Sequence, residues 1–569
     1  MSYPLARFKE AVSLFLVSSL SIHYSSHEID IEKLLEIPPG GMADIAFPCF
    51  SLAKLAKQNP QTLATTLIRI SPTSPWIEKT EAKNGYINFF INHQKLIEAT
   101  LRLIQKKGDS YGHHPLCNST LILEHTSTNP TGPLHIGRAR NPIIGDTLAR
   151  IFRAGGYTIE TQFYLDDMGK QIAILVWGVD HLDLSPDPKL KPDHVLVPFY
   201  QQAAALMKKD PRVAQEITAI IHGCEEGNPS LLNHAKKIYK PVLTGIIQSL
   251  GRLNISLDSF IEESRFLLDG SVNTVITKLA QTSYSGKEDN ALYLNLDTFG
   301  IHGRNKNFYL TRNDGTSLYA TRDIAYHLWK SQHADGMINI LGEDHKLEAR
   351  QVAIALTLLG ADCPLNVFYS FVSLPEGRMS TRKGQVVYLD DLMDEAVNRA
   401  QKEVTKRRAL PAQVVQTIAE HVGIGAIRYN LIKVQTDKPI TFRWEDALNF
   451  DGESAPFIQY AYARCRSILQ KTDTRPVIHP SVLTHETEIA LIKKLATLPE
   501  VITQAIRHYN PAYVAEYGYH LAASWNQFYR DCRVIGDEYE KERLALVQAT
   551  QQVLKNTLSL LGIQALESM

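Results

Sequence analysis

The sequence predicts an α/β protein in which a Rossmann-type parallel-sheet domain carries an N-terminal α+β domain and a C-terminal all-α helix bundle. Three observations lead there. At 569 residues the chain is several times the size of one domain. From about residue 117 its pattern becomes strand, loop, helix, strand, the βαβ repeat from which parallel nucleotide-binding sheets are built. After about residue 400 the strand pattern ends and apolar positions recur at helical spacing.

The elements follow in order. Residues 1–105 open with an amphipathic helix, turn at Pro38-Pro39-Gly40-Gly41 and continue as a second helix from Phe50 to Ile68. They close on the alternating run Gly85 to Ile91, which reads as a strand. A polar joint, Lys106 to Gly112, separates this unit from the next. Within 117–405, Leu121-Ile122-Leu123 reads as the first sheet strand, Ile143, Ile144, Leu148 and Ile151 as the crossover helix, and Tyr157 to Leu165 as the second strand. The stretch 178–300, with its clustered prolines and long helical middle, reads as an insertion. The sheet resumes after a hairpin at Asn313-Asp314-Gly315, with a helix from about Asp323 and a strand from Met337 to Leu341. Residues 406–450 read as a helical connector and 451–569 as the bundle, with Val547, Leu554, Leu558 and Leu561 on one stripe and Gly562 as the helix stop.

Composition excludes several classes. Lys+Arg and Asp+Glu are both 60, hydrophobic residues make up 44% and charged ones 21%, which describes an ordinary globular protein and not a disordered or collagen-like chain. Zero net charge leaves a nucleic-acid partner open, because a large protein can keep basic strips on one face. The six cysteines are scattered without Cys-x-x-Cys or zinc spacing, so reduced thiols, no zinc and no resident metal are expected. Arg7 and Lys9 before Ala11 to Leu20 resemble a secretion signal only faintly, since Glu10 interrupts it and no cleavage site follows. No run of eighteen apolar residues occurs, so neither a membrane span nor a membrane partner is expected, and the expected compartment is the cytoplasm.

Two segments carry chemistry. Asn129-Pro-Thr-Gly-Pro-Leu-His135-Ile136-Gly137-Arg138 lies between a strand and a helix, where backbone N–H groups and the helix dipole favour a phosphate. His135 can donate to phosphate oxygens there, and Gly137, without a side chain, lets a flat base approach. Gly377-Arg378-Met379-Ser380-Thr381-Arg382-Lys383-Gly384 is a glycine-bounded loop with three cations in six positions. Either segment alone also fits a packed histidine or a solvated charge run.

Together they resemble the His-Ile-Gly-His and Lys-Met-Ser-Lys-Ser signatures of the class I aminoacyl-tRNA synthetases. The resemblance narrows to the arginyl-tRNA synthetases through Glu124 to Asn141, Tyr164 to Gln171, Asp314 to Tyr326, Gly342-Glu343-Asp344-His345, Met379 to Ala396, Phe457 to Ala461 and the ending Gly562 to Met569. It covers nearly the whole chain apart from 178–300.

The resemblance implies a tRNA-contacting N-terminal domain, a class I catalytic domain, an anticodon-binding bundle and a monomer. The implied partners are tRNA(Arg), L-arginine and ATP, with Mg²⁺ on the leaving pyrophosphate. Glu124, Tyr319 and Asp323 would bind the guanidinium, which calls for acids and hydroxyls around a planar fork of donors. Asn129 would take the α-amino and carboxylate end, with Gln171, Asp167 and Gly169 nearby. His135, Gly137, Gly342, Asp344, His345, Met379 and Ser380 would contact ATP. His135, Arg138, Arg382 and Lys383 would stabilise charge in the reaction. Tyr86 and Asn88 would meet a base in the outer corner of the tRNA. In the bundle, Tyr460, Arg464, Tyr509, Trp525 and Arg530 fit tRNA contacts and fit a helix core equally.

Two positions depart from the signatures: Arg138 stands where the first has a second histidine, and Arg-Met-Ser-Thr-Arg stands where the second has two lysines. Arg382 and Lys383 are both candidates for the phosphate role. A non-catalytic tRNA-binding paralogue is the rival reading, supported by Arg138 and opposed by intact Glu124, Asn129, His135, Tyr319, Asp323 and Lys383. A cysteinyl enzyme would need zinc ligands.

Overall fold

A computed structural model describes residues 2–21, 30–69, 74–374, 377–378, 387–407 and 409–569. The N-terminal unit packs helix Pro4–Ser21 on a three-stranded antiparallel sheet of β1 (Ile45–Pro48), β2 (Ile77–Lys83) and β3 (Tyr86–Ile91), with β3 in the middle. Phe15, Phe47, Phe89 and Leu96 fill the space between helices and sheet. The expected helix from Phe50 to Ile68 is two, Phe50–Ala56 and Pro60–Arg69. Lys57 takes a left-handed conformation that ends the first, and Pro60, which cannot donate in a helix interior, starts the second.

The central sheet has five parallel strands: β4 (Thr120–Glu124), β5 (Thr158–Leu165), β6 (Ser259–Glu262), β10 (Gly336–Gly342) and β11 (Leu365–Tyr369), in the order β11-β10-β4-β5-β6. Strand order reverses beside β4, so the carboxyl ends of β4 and β10 open a crevice there, the place where such sheets bind ligands. The 178–300 stretch is not purely an interruption, because helix Pro229–Arg252 leads into β6, the edge strand. Its short polar sequence, Ser-Phe-Ile-Glu, hid it. The small antiparallel sheet of β7 (Ser285–Glu288), β8 (Ala291–Asn295) and β9 (Asn307–Tyr309) follows, before helix Tyr319–Ser331 returns to the main sheet.

The remainder is helical apart from Ile440–Thr441, which pairs with Val372 and Ser373. Helices Ala455–Leu469, Glu486–Ala496, Ala512–Asp531 and Glu540–Leu560 form the bundle around Trp525 and Leu554. Gly562 ends the last helix with φ +67°, and a Cβ there would lie 2.0 Å from the Arg428 guanidinium, so both conformation and space call for glycine.

Helix Arg140–Ala154 joins β4 to β5 and is tied to the helical connector by two buried cations, Arg140 and Arg428. Arg140 donates from Nε, Nη1 and Nη2 to the carbonyls of Leu431, Ser370, Thr436, Lys438, Val434 and Gln435, at 2.8–3.1 Å. Burial pulls its pKa down to about 10, which leaves it charged at neutral pH. Half a helix further on, Asp146 accepts from Arg428 at 2.5 Å and from Arg150 at 2.8 Å. Replacing Arg140 with Met should strand these carbonyls in a dry interior and destabilise the protein by about 3–5 kcal/mol. Urea denaturation checks this, and a loss under about 1 kcal/mol would contradict the account.

Candidate active site

One cleft of about 330 Å³ opens at the crevice between β4 and β10. It is lined by Glu124, Asn129, Arg138, Gln171, Tyr319, Asp323, Gly342, Asp344 and His345, all singled out from sequence. A second cleft of about 300 Å³ adjoins it, lined by His135, Tyr388 and, from the 178–300 stretch, Val197 and Tyr200. Asn129, Arg138 and Gln171 belong to both, so they stand at the boundary.

The chain leaves β4 through Thr126 and Ser127, both at positive φ (74° and 24°), a costly conformation for residues with side chains. Hydrogen bonds hold it: Asn141 accepts from the Thr126 N–H at 2.6 Å and donates to the Ile340 carbonyl at 2.8 Å, which locks the ends of β4 and β10 together. Ser127 donates to Glu124 Oε1 at 2.9 Å and accepts from the Tyr164 N–H at 3.1 Å. Asn129 Nδ2 donates to Asp166 Oδ2 at 2.5 Å.

Tyr319 and Asp323 are one helical turn apart at the start of helix Tyr319–Ser331, and both face the cleft. Burial alone would raise the Asp323 pKa, but His327, Lys330 and His345 outweigh it and hold the acid below the usual carboxylate range. Glu124, at the end of β4, is paired with the buried Lys330 ammonium at 2.7 Å. Asp167 faces away from the cleft, bonded to Ser264 N–H and Oγ, and burial pushes it up to about 6.

The His135 ring folds back so that Nδ1 accepts from the Gly137 N–H at 2.9 Å, which puts the ring proton on Nε2. A Cβ at Gly137 would sit 3.0 Å from that ring, so glycine makes room for the histidine as well as for a ligand. The first signature meets the segment that follows the second through backbone: Ile136 N–H donates to Val387 O at 3.2 Å, Leu389 N–H to Leu134 O at 2.8 Å, and His135 bridges Tyr388. Met379, Ser380, Arg382 and Lys383 lie outside the described residues, and Arg378 is described by its backbone alone, in the pair Gly377–Arg378.

Sequence reasoning missed the residues behind the cleft. Lys330, His327 and Asn339 are buried, and so are Glu263 and Arg322, which pair at 2.9 Å. Spacing on helix Tyr319–Ser331 could have suggested His327, four residues after Asp323; nothing local pointed to Asn339. Asp193, His194 and Asp390 come together as metal ligands might, but Lys191 Nζ already sits 3.0 Å from Asp193 and 2.6 Å from Asp390. That cluster joins the 178–300 stretch to the helix that follows the second signature.

Of the outlying residues, Tyr86 is half-buried, edge-on to Phe50 at 5.2 Å, and Asn88 is nearly closed off from solvent in the central strand. Tyr460 is exposed, and Arg464 lies between its ring (4.6 Å) and that of Tyr529 (4.9 Å). Trp525 is fully buried, so the core reading holds for it.

Three family models match the chain: "Arginyl tRNA synthetase N terminal domain" at residues 7–91, "tRNA synthetases class I (R), catalytic domain" at 100–444 and "DALR anticodon binding domain" at 458–569. The arginine–tRNA ligase of Methanocella arvoryzae is 48% identical, over 91% of this chain and 92% of that one. The one from Methanothermobacter thermautotrophicus is 43% identical over 94% and 95%. Among solved structures, the Thermus thermophilus arginyl-tRNA synthetase superimposes with a TM-score of 0.82 at 28% identity, covering 99% of this chain and 100% of that chain.

His345 Nδ1–H donates to Glu348 Oε2 at 3.2 Å, and this bond to a carboxylate pushes the imidazole pKa up. Substituting Glu348→Gln removes that acceptor charge, so His345 should titrate at lower pH than in the parent protein. Histidine ring NMR across pH 5–8 reads the shift directly, and an unmoved resonance would contradict the pairing.

Proposed function

The chain belongs to the class I arginyl-tRNA synthetases, and from that premise we propose which of its residues perform each part of the reaction. The enzyme is an arginine–tRNA ligase: it activates arginine with ATP and transfers it to the terminal ribose of tRNA(Arg), releasing AMP and pyrophosphate. The observation that carries the assignment of roles is the cleft at the β4–β10 switch point, where Glu124, Asp323, Tyr319, Gly342, Asp344 and His345 converge from separate segments.

In this reading Asp323, Tyr319 and Glu124 hold the guanidinium, and Asn129 and Gln171, at the boundary of the two clefts, hold the amino-acid end. Gly342, Asp344 and His345 hold the adenosine, with Gly137 beneath the base. The arginine carboxylate is ionised at neutral pH, so its oxygen attacks the α-phosphorus without a general base while pyrophosphate leaves. His135, donating from Nε2, and Arg138, an exposed cation shared by both clefts, stabilise the phosphate charge with Arg382 and Lys383 of the second signature, whose Met379 and Ser380 contact ATP. Mg²⁺ bound to ATP would neutralise charge on the leaving pyrophosphate. In the second step the tRNA ribose hydroxyl attacks the arginyl carbonyl and AMP departs. Arg138 keeps a cation where the wider class has histidine, which supports catalysis over the paralogue reading.

We assign residues 1–105, with Tyr86 and Asn88, to the tRNA corner; 117–405 to catalysis; 406–450 to a connector; and 451–569, with Tyr460 and Arg464, to the anticodon arm. The half-buried Arg464 between the exposed rings of Tyr460 and Tyr529 supports the last of these, since exposed aromatic faces beside a cation suit a base. We assign the enzyme to a reducing, cytoplasmic setting, which the six free cysteines support, and take it as a monomer. Among the described residues no helix is long and apolar enough to cross a membrane.

Arginine, lysine and cysteine offered in parallel with ATP, Mg²⁺ and total tRNA test the reaction. Arginine alone should be charged. The Asp323→Ala variant should lose at least about 100-fold in kcat/KM for arginine, an unpaired guanidinium costing several kcal/mol, while tRNA binding by filter retention stays within twofold. Unchanged charging would refute the pocket.

A further inference from the structure

Lys330 is the one lysine among the buried side chains of the described residues, and it lies directly behind the arginine pocket. An ammonium has three donors and no acceptor. Here one goes to Glu124 Oε2 at 2.7 Å and one to Asn339 Oδ1 at 2.9 Å, and the charge also lies 4.2 Å from the centre of the Tyr326 ring. Because Lys330 can only donate, Asn339 must turn its carbonyl toward it. Its amide nitrogen then faces His327 Nε2 at 2.7 Å and Asn366 Oδ1 at 3.2 Å.

His327 Nε2 is therefore an acceptor, and the ring proton sits on Nδ1. Nδ1 lies 2.9 Å from the Asp323 carbonyl and 3.2 Å from Asp323 Oδ1. One buried cation thus reaches both acids of the pocket: Glu124 by direct contact, and Asp323 through Asn339 and His327.

Resting on the pocket reading above, we propose that Lys330 is a positioning and specificity-determining residue for arginine. It cancels one of two carboxylate charges and fixes the hydrogen bonds of the other. Of the two acids assigned to the guanidinium, only Asp323 is then left without a directly paired lysine or arginine among the described residues, and Glu124 is held in place to accept hydrogen bonds from the remaining N–H groups. Two uncompensated carboxylates in a half-dry cleft would draw any cation. With Lys330 in place, binding depends on matching a planar fork of donors, which a free lysine ammonium does not provide.

The test is steady-state charging of tRNA by Lys330→Met, Asn339→Asp and Asp323→Asn. Lys330→Met should raise KM for arginine at least tenfold while KM for ATP and tRNA stays within twofold, a split that general loosening of the core would not produce. The double variant Glu124→Gln/Lys330→Met should cost less than the product of the Glu124→Gln and Lys330→Met losses, because the charge that Lys330 offsets has gone. Asn339→Asp is nearly isosteric and keeps the acceptor for Lys330 but cannot donate to His327. It should raise KM for arginine at least fivefold, and it carries the test if Lys330→Met fails to fold. Arginine KM within twofold of the parent in both variants, with Asp323→Asn still impaired, overturns the role of Lys330 and leaves the pocket standing. Equal losses for arginine and ATP overturn it too. An unimpaired Asp323→Asn would instead bring down the pocket reading on which this rests.

Discussion

The fold turns on a buried guanidinium. Arg140 stands two residues after Arg138, inside the molecule, and its N–H groups serve six carbonyls from Ser370 and the 431–438 turn. A charged group is costly to bury, and so are unpaired carbonyls, but here each answers the other. The turn that leads into the bundle can therefore be irregular and dry at once. Arg428 repeats the device on the same helix, donating to Asp146 and to the carbonyls of Leu253 and Leu561. The helix that begins at the first signature is consequently clamped at its start and its middle by segments nearly three hundred residues away.

That clamping defines the geometry of the clefts. Asn141, the next residue, is held where its amide can bridge the β4 and β10 exits, and this bridge keeps Thr126 and Ser127 in their strained turn. The strain in turn aims Ser127 at Glu124. Glu124, Ser127, Asn129 and Asn141 are paired before any substrate arrives, so these groups need little reorganisation for binding.

Much of this was legible from sequence, and the limits have physical causes. The strand–loop–helix boundary at Asn129 to Arg138 and the strand ending at Gly342 are local patterns, and they located the crevice. The stop at Gly562 was legible as a left-handed glycine, although its closeness to Arg428 was not. The edge strand β6 escaped because four half-buried residues have too short a period to read. Lys330 escaped because its partner Glu124 is 206 residues away, and a lysine on a helix reads as surface until its surroundings are known. Trp525 shows the converse: an aromatic residue fitting either RNA or core is decided only by packing.

The arginine cage also bears on how this protein can be divided. Four of the six carbonyls that surround Arg140 lie between Val434 and Lys438, and a fifth is that of Leu431. A fragment cut where the parallel sheet ends would keep the cation and discard most of its ligands. The smallest autonomous piece containing the clefts must reach past Lys438, so the boundary drawn by strand content differs from the boundary of independent folding. Insertions within that turn would be tolerated only where they leave the carbonyl register intact.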